Sequence, residues 1–202
     1  MIVTINTALF YGCLSRYLSL FQNKPQKYGA YINSTISSFL LIFTESLNIQ
    51  TRMNLFSGYL INDVIYILSQ KNAFHPKNLQ FLIHHLFSLA LTISPYPLMY
   101  PDITTKLLSV ERTIPIANAL WFLNYYNKPP HVFTRQYYRI TEKLLKIAFF
   151  IAFTYYRVIY LSLMSLECYQ KSIKLPVQLV LYSIWAINIS WYKKLLQLAM
   201  KS

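Results

Sequence analysis

LQFLIHHLFSLALTISPY, running from Leu79 to Tyr96, is an almost unbroken apolar stretch with two adjacent imidazoles, His84 and His85, near its middle. As an α-helix rising about 1.5 Å per residue, it comes close to the length that crosses the hydrocarbon core of a thin bilayer. The pattern recurs on both sides: apolar runs occupy Ile2 to Leu20, Ala30 to Leu47, Leu55 to Ser69, Leu107 to Tyr125, Ile147 to Met164 and Leu175 to Tyr192. About seven spans are therefore expected, and the fold class is all-α, a polytopic transmembrane helix bundle. The third and fifth runs hold Asp63 and the pair Glu111 and Arg112, so re-entrant or tilted geometry is expected there. Connections such as NKPQK, QKNAFHPKN, SPYPLMYPD and NKPPH are short and rich in Pro, Asn and Lys, with no second domain and no internal repeat.

The composition points the same way. Of 202 residues, 55% are hydrophobic, 17% aromatic and only 12% charged, about half the charged share of a soluble domain. This apolar density exceeds what one soluble core of this size buries, and with only 3 glycines it excludes disorder, collagen and low-complexity linkers. The net charge of +13 would suggest nucleic acid in a soluble chain. Here the cations lie between apolar runs, without a dense basic cluster or an RNP-like pattern, so they read as membrane-flanking charges with no nucleic-acid partner. Alternate connections carry Lys24, Lys27, Lys71, Lys77, Lys128, Arg135, Arg139, Lys143, Lys193, Lys194 and Lys201, against Arg52, Lys106, Lys171 and Lys174 on the other side. By the positive-inside rule the N-terminus is expected to be lumenal or outside, and the C-terminus and a loop around Tyr126 to Lys146 cytoplasmic. Short spans favour the endoplasmic reticulum or another internal membrane. Cys13 and Cys168 make neither a disulfide framework nor a zinc site. The first run has no basic n-region and no clear cleavage site, so it is expected to be a span, not a removed signal.

Asp63, His84, His85, Glu111, Arg112 and Arg157 fall inside these runs. A charge at the bilayer centre costs about 2.5–3.5 kcal/mol on insertion scales, so such residues are expected to face the bundle interior with partners. Arg157, in FFIAFTYYRVIYLSL, is too deep to snorkel, and an ion pair with Asp63 or Glu111 would relieve its desolvation. That pair either belongs to a functional polar centre or fixes helix register. Adjacent helical residues point about 100° apart, so His84 and His85 are expected to meet different neighbours. Their imidazoles fit a general base, a metal ligand, a proton relay or simple packing between helices. With His75 and His131 distant in sequence, no di-iron histidine box forms, and no metal or other cofactor is expected. Glycine at only 12, 29 and 58 leaves no P-loop or G-x-G-x-x-G, and G-x-S-x-G and H-E-x-x-H are missing too. Ser88 shares a helix face with His84, as a nucleophile or, more commonly in membrane helices, as a packing or backbone-bonding residue.

Five segments in order, GYLINDVIYIL, FLIHHLFSL, VERTIPIANALWFL, AFFIAFTYYRVIYL and NISWYKKLL, resemble the TLC domain, the fold shared by ceramide synthases and translocating-chain-associating membrane proteins. The resemblance covers about Asn33 to Leu196. It implies a TLC-like transmembrane domain at 30–197, preceded at 1–29 by a first membrane span and basic loop and followed at 198–202 by a short cytoplasmic tail. By this resemblance Gly58, Tyr59 and Asp63 look like the family's G-Y-x-x-x-D span, and His84 and His85 like its paired histidines. Glu111, Pro115, Asn118 and Trp121 look like its E-x-x-x-P-x-x-N-x-x-W segment, Arg157 like the late-span arginine, and Asn188 with Trp191 like the final N-x-x-W. The departures are the further acidic segment of ceramide synthases, replaced here by Glu111 to Pro115, and an early-span histidine, replaced by Ser37 and Ser38. The likeness is therefore to the smaller TLC proteins without established catalysis.

These features lead to an expected role in lipid sensing, lipid trafficking or membrane lipid homeostasis, with membrane lipids as partners. The polar bundle centre would comprise Asp63, His84, His85, Glu111, Asn118 and Arg157, with Asp63, Glu111 and Arg157 as the charged floor of a headgroup cavity and the histidines at its mouth. The alternative is an N-acyltransferase of the ceramide synthase type, with His84 or His85 as general base and acyl-CoA as co-substrate. A third reading is a non-catalytic translocon-associated or structural protein in which the histidine pair is replaceable.

Overall fold

Away from water an unpartnered backbone N–H or C=O is costly, so apolar segments satisfy their own backbones as helices. The computed structural model describes residues 2–21, 26–43, 47–125 and 132–200, which contain no strand. Its helices are α1 (Ile2–Phe21), α2 (Gln26–Phe43), α3 (Ile49–Leu68), α4 (Pro76–Ile93), α5 (Tyr96–Met99), α6 (Pro101–Ser109), α7 (Ile114–Tyr125), α8 (Val132–Phe153), α9 (Leu161–Gln170) and α10 (Leu175–Ala199). Local chemistry explains several boundaries. Asn48 caps α3 by accepting from the Thr51 N–H at 2.8 Å. Prolines stand in the first turns of α5, α6 and α10, where no helical donor is lost.

α8, a π-helical stretch Thr154–Tyr160 and α9 join into one rod, and its part Gln136–Gln170 is long and apolar enough to cross a membrane. The apolar stretches Gly29–Phe43 and Asn78–Ile93 are shorter. The third segment is one regular helix, whereas the fifth breaks into α6, a 3-10 turn at Val110–Thr113 and α7. In the region expected as a loop from Tyr126 to Lys146, residues from Val132 onward are helical. Spaced polar and apolar residues in VFTRQYYRITEKLLK favour this, with a Lys146–Glu142 pair at 2.7 Å one turn apart. Lys24, Lys128, His131 and Lys201 lie outside the described residues.

Large apolar side chains lie outside as well as in the core, and many polar side chains are buried. Along the α8–α9 rod, Ile140, Leu144, Ile147, Ile151, Tyr155, Ile159, Leu163 and Leu166 form an exposed apolar stripe. Inside, Asn33 and Asn188 have 0% exposure, and Ser37, Ser38 and Ser57 are buried with them. Small and polar residues at helix contacts and large apolar residues outside are what a hydrocarbon solvent selects.

α1 packs against α2 and α3, α3 against α4, α4 against α10, and α2 against α7. The α1–α3 contact depends on Gly58. A Cβ there would collide with the Thr7 side chain and come within 2.9 Å of the Ala8 backbone nitrogen. The missing side chain lets Thr7 Oγ1 donate to the Asn54 carbonyl on α3 at 3.0 Å. Asn33 Nδ2 donates to the Tyr11 carbonyl at 2.5 Å, tying α2 to α1. At the end that carries α5 and α6, Lys106 on α6 reaches Glu167 on α9 at 2.5 Å. Glu167 also bonds Lys171 and holds that ammonium above its ordinary pKa.

Candidate functional site

Two departures from regular α-helix build the centre of the bundle. Pro115 has no N–H to give the carbonyl of Glu111, four residues earlier. The Ile114 N–H bonds that carbonyl instead, producing the 3-10 turn that carries Glu111 and Thr113. Opposite it, Arg157 sits in the π-helical stretch, a rare local form that turns side chains away from their regular α positions.

The two irregular turns meet. Arg157 Nε donates to Thr113 Oγ1 at 2.7 Å, Nη1 donates to Asn188 Oδ1 at 3.1 Å, and Nη2 stands 3.6 Å from Glu111 Oε2. Asn188 is itself held by donating to the Ile184 carbonyl at 2.8 Å, and the guanidinium carbon lies 5.8 Å from the Phe153 ring centroid. Arg157, Glu111, Thr113 and Asn188 are all buried. One guanidinium thus joins the broken fifth segment, the α8–α9 rod and α10. Its planar fork suits several acceptors at once, which a lysine ammonium does not reproduce.

The second cluster is on α3 and α4. His85 Nε2 lies 3.2 Å from Asp63 Oδ2, and Tyr59, one turn before Asp63, bonds the same carboxylate. His84 turns the other way, its ring 5.3 Å from that of Trp191 on α10 in an edge-on contact. The adjacent imidazoles thus meet different helices, as their angular offset requires. Nδ1 of His84 and Nδ1 of His85 are both buried without a hydrogen-bond partner.

A narrow slot runs between α3, α4, α6 and α10. His84, Ser88, Thr92, Thr104 and Glu111 contribute its polar groups, among apolar walls that include Phe56, Leu108 and Ile184. A water-sized sphere has about 20 Å³ of free travel in it, room for a water or one small polar group.

The polar centre expected from the sequence is therefore divided. Of the two acids open to Arg157, Glu111 is its partner and Asp63 belongs to His85. Asp63, Glu111 and Arg157 do not share one cavity floor, because α3 and the α8–α9 rod present their charges to different neighbours: Glu111 and His84 line the slot, and Asp63, His85 and Arg157 do not. Asn118 stands apart, its Nδ2 donating to Ser34 Oγ at 2.5 Å, Thr35 Oγ1 at 2.8 Å and the Tyr31 carbonyl at 3.1 Å, so that it fastens α7 to α2. Thr113 and the role of Asn188 are not evident from the sequence. The signal available is their company: Thr113 two positions after Glu111, and Asn188 one turn before Trp191. Among the described residues, no three His, Cys, Asp or Glu side chains are grouped as metal ligands.

Comparison with known proteins matches the TLC domain family model to residues 7–197, nearly the whole chain and both polar clusters. No curated protein and no solved structure matches it. With the family model covering the helices that carry Asp63, His84, His85, Glu111 and Arg157, the chain belongs to the TLC domain family of helical membrane proteins.

Proposed function

We propose that this membrane protein takes a single polar group of a lipid, a hydroxyl or amine, into the slot beside His84, and acts in lipid sensing, lipid trafficking or membrane lipid homeostasis. The observation that carries this reading is His84, which lines the slot with Ser88 and Glu111 and whose buried Nδ1 has no hydrogen-bond partner. A buried nitrogen without a partner is costly, and a ligand hydroxyl would satisfy it. An internal membrane such as the endoplasmic reticulum, with the N-terminus lumenal and the C-terminus cytoplasmic, fits the short spans and the distribution of cations.

One observation favours a second reading. Donation from His85 Nε2 to Asp63 would leave Nδ1 as the basic atom, and a carboxylate-oriented imidazole is how a general base is held. In that case His85 would take the proton of an amine as its nitrogen bonds the thioester carbon of acyl-CoA, the C–S bond breaks, and the leaving CoA sulfur takes up that proton. Both readings are tested by lipidomics on cells expressing the wild type or His84→Ala/His85→Ala at matched membrane levels, supplied with labelled sphingoid base and fatty acid. The proposal expects lipid composition to change with the wild type and not with the variant, without a new labelled acyl-amide. A labelled acyl-amide lost in the variant would establish the enzyme instead. Indistinguishable lipidomes in wild type, variant and empty cells would overturn both.

A further inference from the structure

We infer that the exposed basic face of α8 is a docking surface for anionic phospholipid headgroups. The sequence repeats a cation at Arg135, Arg139 and Lys143, four residues apart and so on one face of a helix. Arg139 and Lys143 are exposed, and Lys146 extends the same face while paired to Glu142. Depth places these charges. The stretch Ile147 to Met164 would fill about 27 Å of hydrocarbon at 1.5 Å per residue, which puts Lys143 about 6 Å and Arg139 about 12 Å beyond it, where phosphates lie within reach of long side chains.

About 100° around the same helix, Ile140 and Leu144 are exposed and continuous with the lipid-facing stripe at Ile147 and Ile151. At this depth one face of the helix is therefore apolar and the next basic. The same end of the bundle carries exposed Lys193 and Lys194, with Lys194 Nζ bonded to Gln80 across to α4. Glu142 is the only acidic residue of α8, and Lys146 already engages it. A net cationic surface at headgroup depth attracts phosphatidylserine or phosphatidylinositol over zwitterionic phosphatidylcholine. The lipid acts here at the bundle's periphery, independently of the slot.

The test reconstitutes the full chain in phosphatidylcholine bilayers and measures by electron paramagnetic resonance how strongly it selects spin-labelled phosphatidylserine over spin-labelled phosphatidylcholine. Wild type is expected to select the anionic label about threefold at low salt and to lose the preference in molar salt. Arg139→Gln/Lys143→Gln should remove at least about half of the excess. Lys171→Gln/Lys174→Gln, at the opposite end, should leave it unchanged. All three proteins are compared at equal melting temperature, since the substituted side chains are exposed. Equal selectivity in wild type and Arg139→Gln/Lys143→Gln overturns the inference, as it would if the face served an acidic soluble protein. An equal loss in the opposite-end variant also overturns it.

Discussion

Arg157→Met is expected to destabilise the bundle by about 3–5 kcal/mol, the largest effect of any single substitution in the two polar clusters, because it strands the buried Glu111 carboxylate without its counter-charge. It also deprives Thr113 and Asn188 of their donors. The measurement is the temperature at which the detergent-solubilised protein loses its monodisperse elution peak. Arg157→Lys should recover only part of the loss, since an ammonium cannot span Thr113, Asn188 and Glu111 together. The informative variant is Arg157→Met with Glu111→Gln. Removing both charges should restore most of the stability, because the penalty comes from an uncompensated ion more than from a lost attraction. If the double variant is no more stable than Arg157→Met, the guanidinium matters for its packing against Phe153 and not for its charge.

Gly58→Val is expected to be the second most damaging substitution. Even a Cβ at this position meets the Thr7 side chain and the Ala8 backbone, and backbone cannot yield by changing rotamer. Overpacking of this kind costs about 1–3 kcal/mol, and more when two helices must separate. The same measurement reads it, with Gly58→Ala giving a smaller drop. Combining Gly58→Ala with Thr7→Ala should recover some stability and not all, because the 2.9 Å approach to Ala8 remains. Full tolerance of Gly58→Val would mean that α1 does not pack on α3 at this point.

The legible and the hidden parts of this protein differ for a physical reason. Helices declare themselves through apolar run length, a local property, and each expected segment is helical over most of its described residues. Partner choice is not local. Arg157 has two acidic candidates in sequence, and only the packing of the broken fifth segment against the π-helical stretch assigns it to Glu111. The break itself is written in the four-residue spacing between Glu111 and Pro115, which withholds one helical donor. Expecting tilt or re-entry at both charge-bearing segments picks out one irregular segment, at Glu111 and Arg112, and one regular helix, at Asp63, and Pro115 is what makes the former irregular. The split between His84 and His85 follows from their adjacency, whereas Trp191 as the neighbour of His84 does not. Asn118 shares a sequence motif with Glu111 and so reads as part of the charged centre, yet it is a fastener between α7 and α2. The slot has no signature in the chain, since its lining residues are spread from Met53 to Ile184.

The two clusters suit different tasks. Arg157, Thr113, Asn188 and Glu111 satisfy one another and hold three segments together, which is a structural duty. His84 and His85 retain unspent hydrogen-bonding capacity beside the slot and the Asp63 carboxylate, which is where a ligand would be recognised. Substitutions in the first cluster, and of Asp63 or His85, should therefore change stability, because each strands a buried charge or its partner, whereas a substitution of the slot-lining Ser88 should act chiefly on lipid handling.

The most direct test is mass spectrometry of the lipids that stay with the purified chain, comparing wild type with Ser88→Leu, which narrows the slot while keeping every member of both charged pairs. A hydroxyl- or amine-bearing lipid retained by the wild type, and lost from a Ser88→Leu variant that melts with the wild type, is the predicted result. A wild type that carries no lipid beyond the bulk detergent background, or a Ser88→Leu variant that retains the same lipid in full, would contradict the slot as the site of recognition.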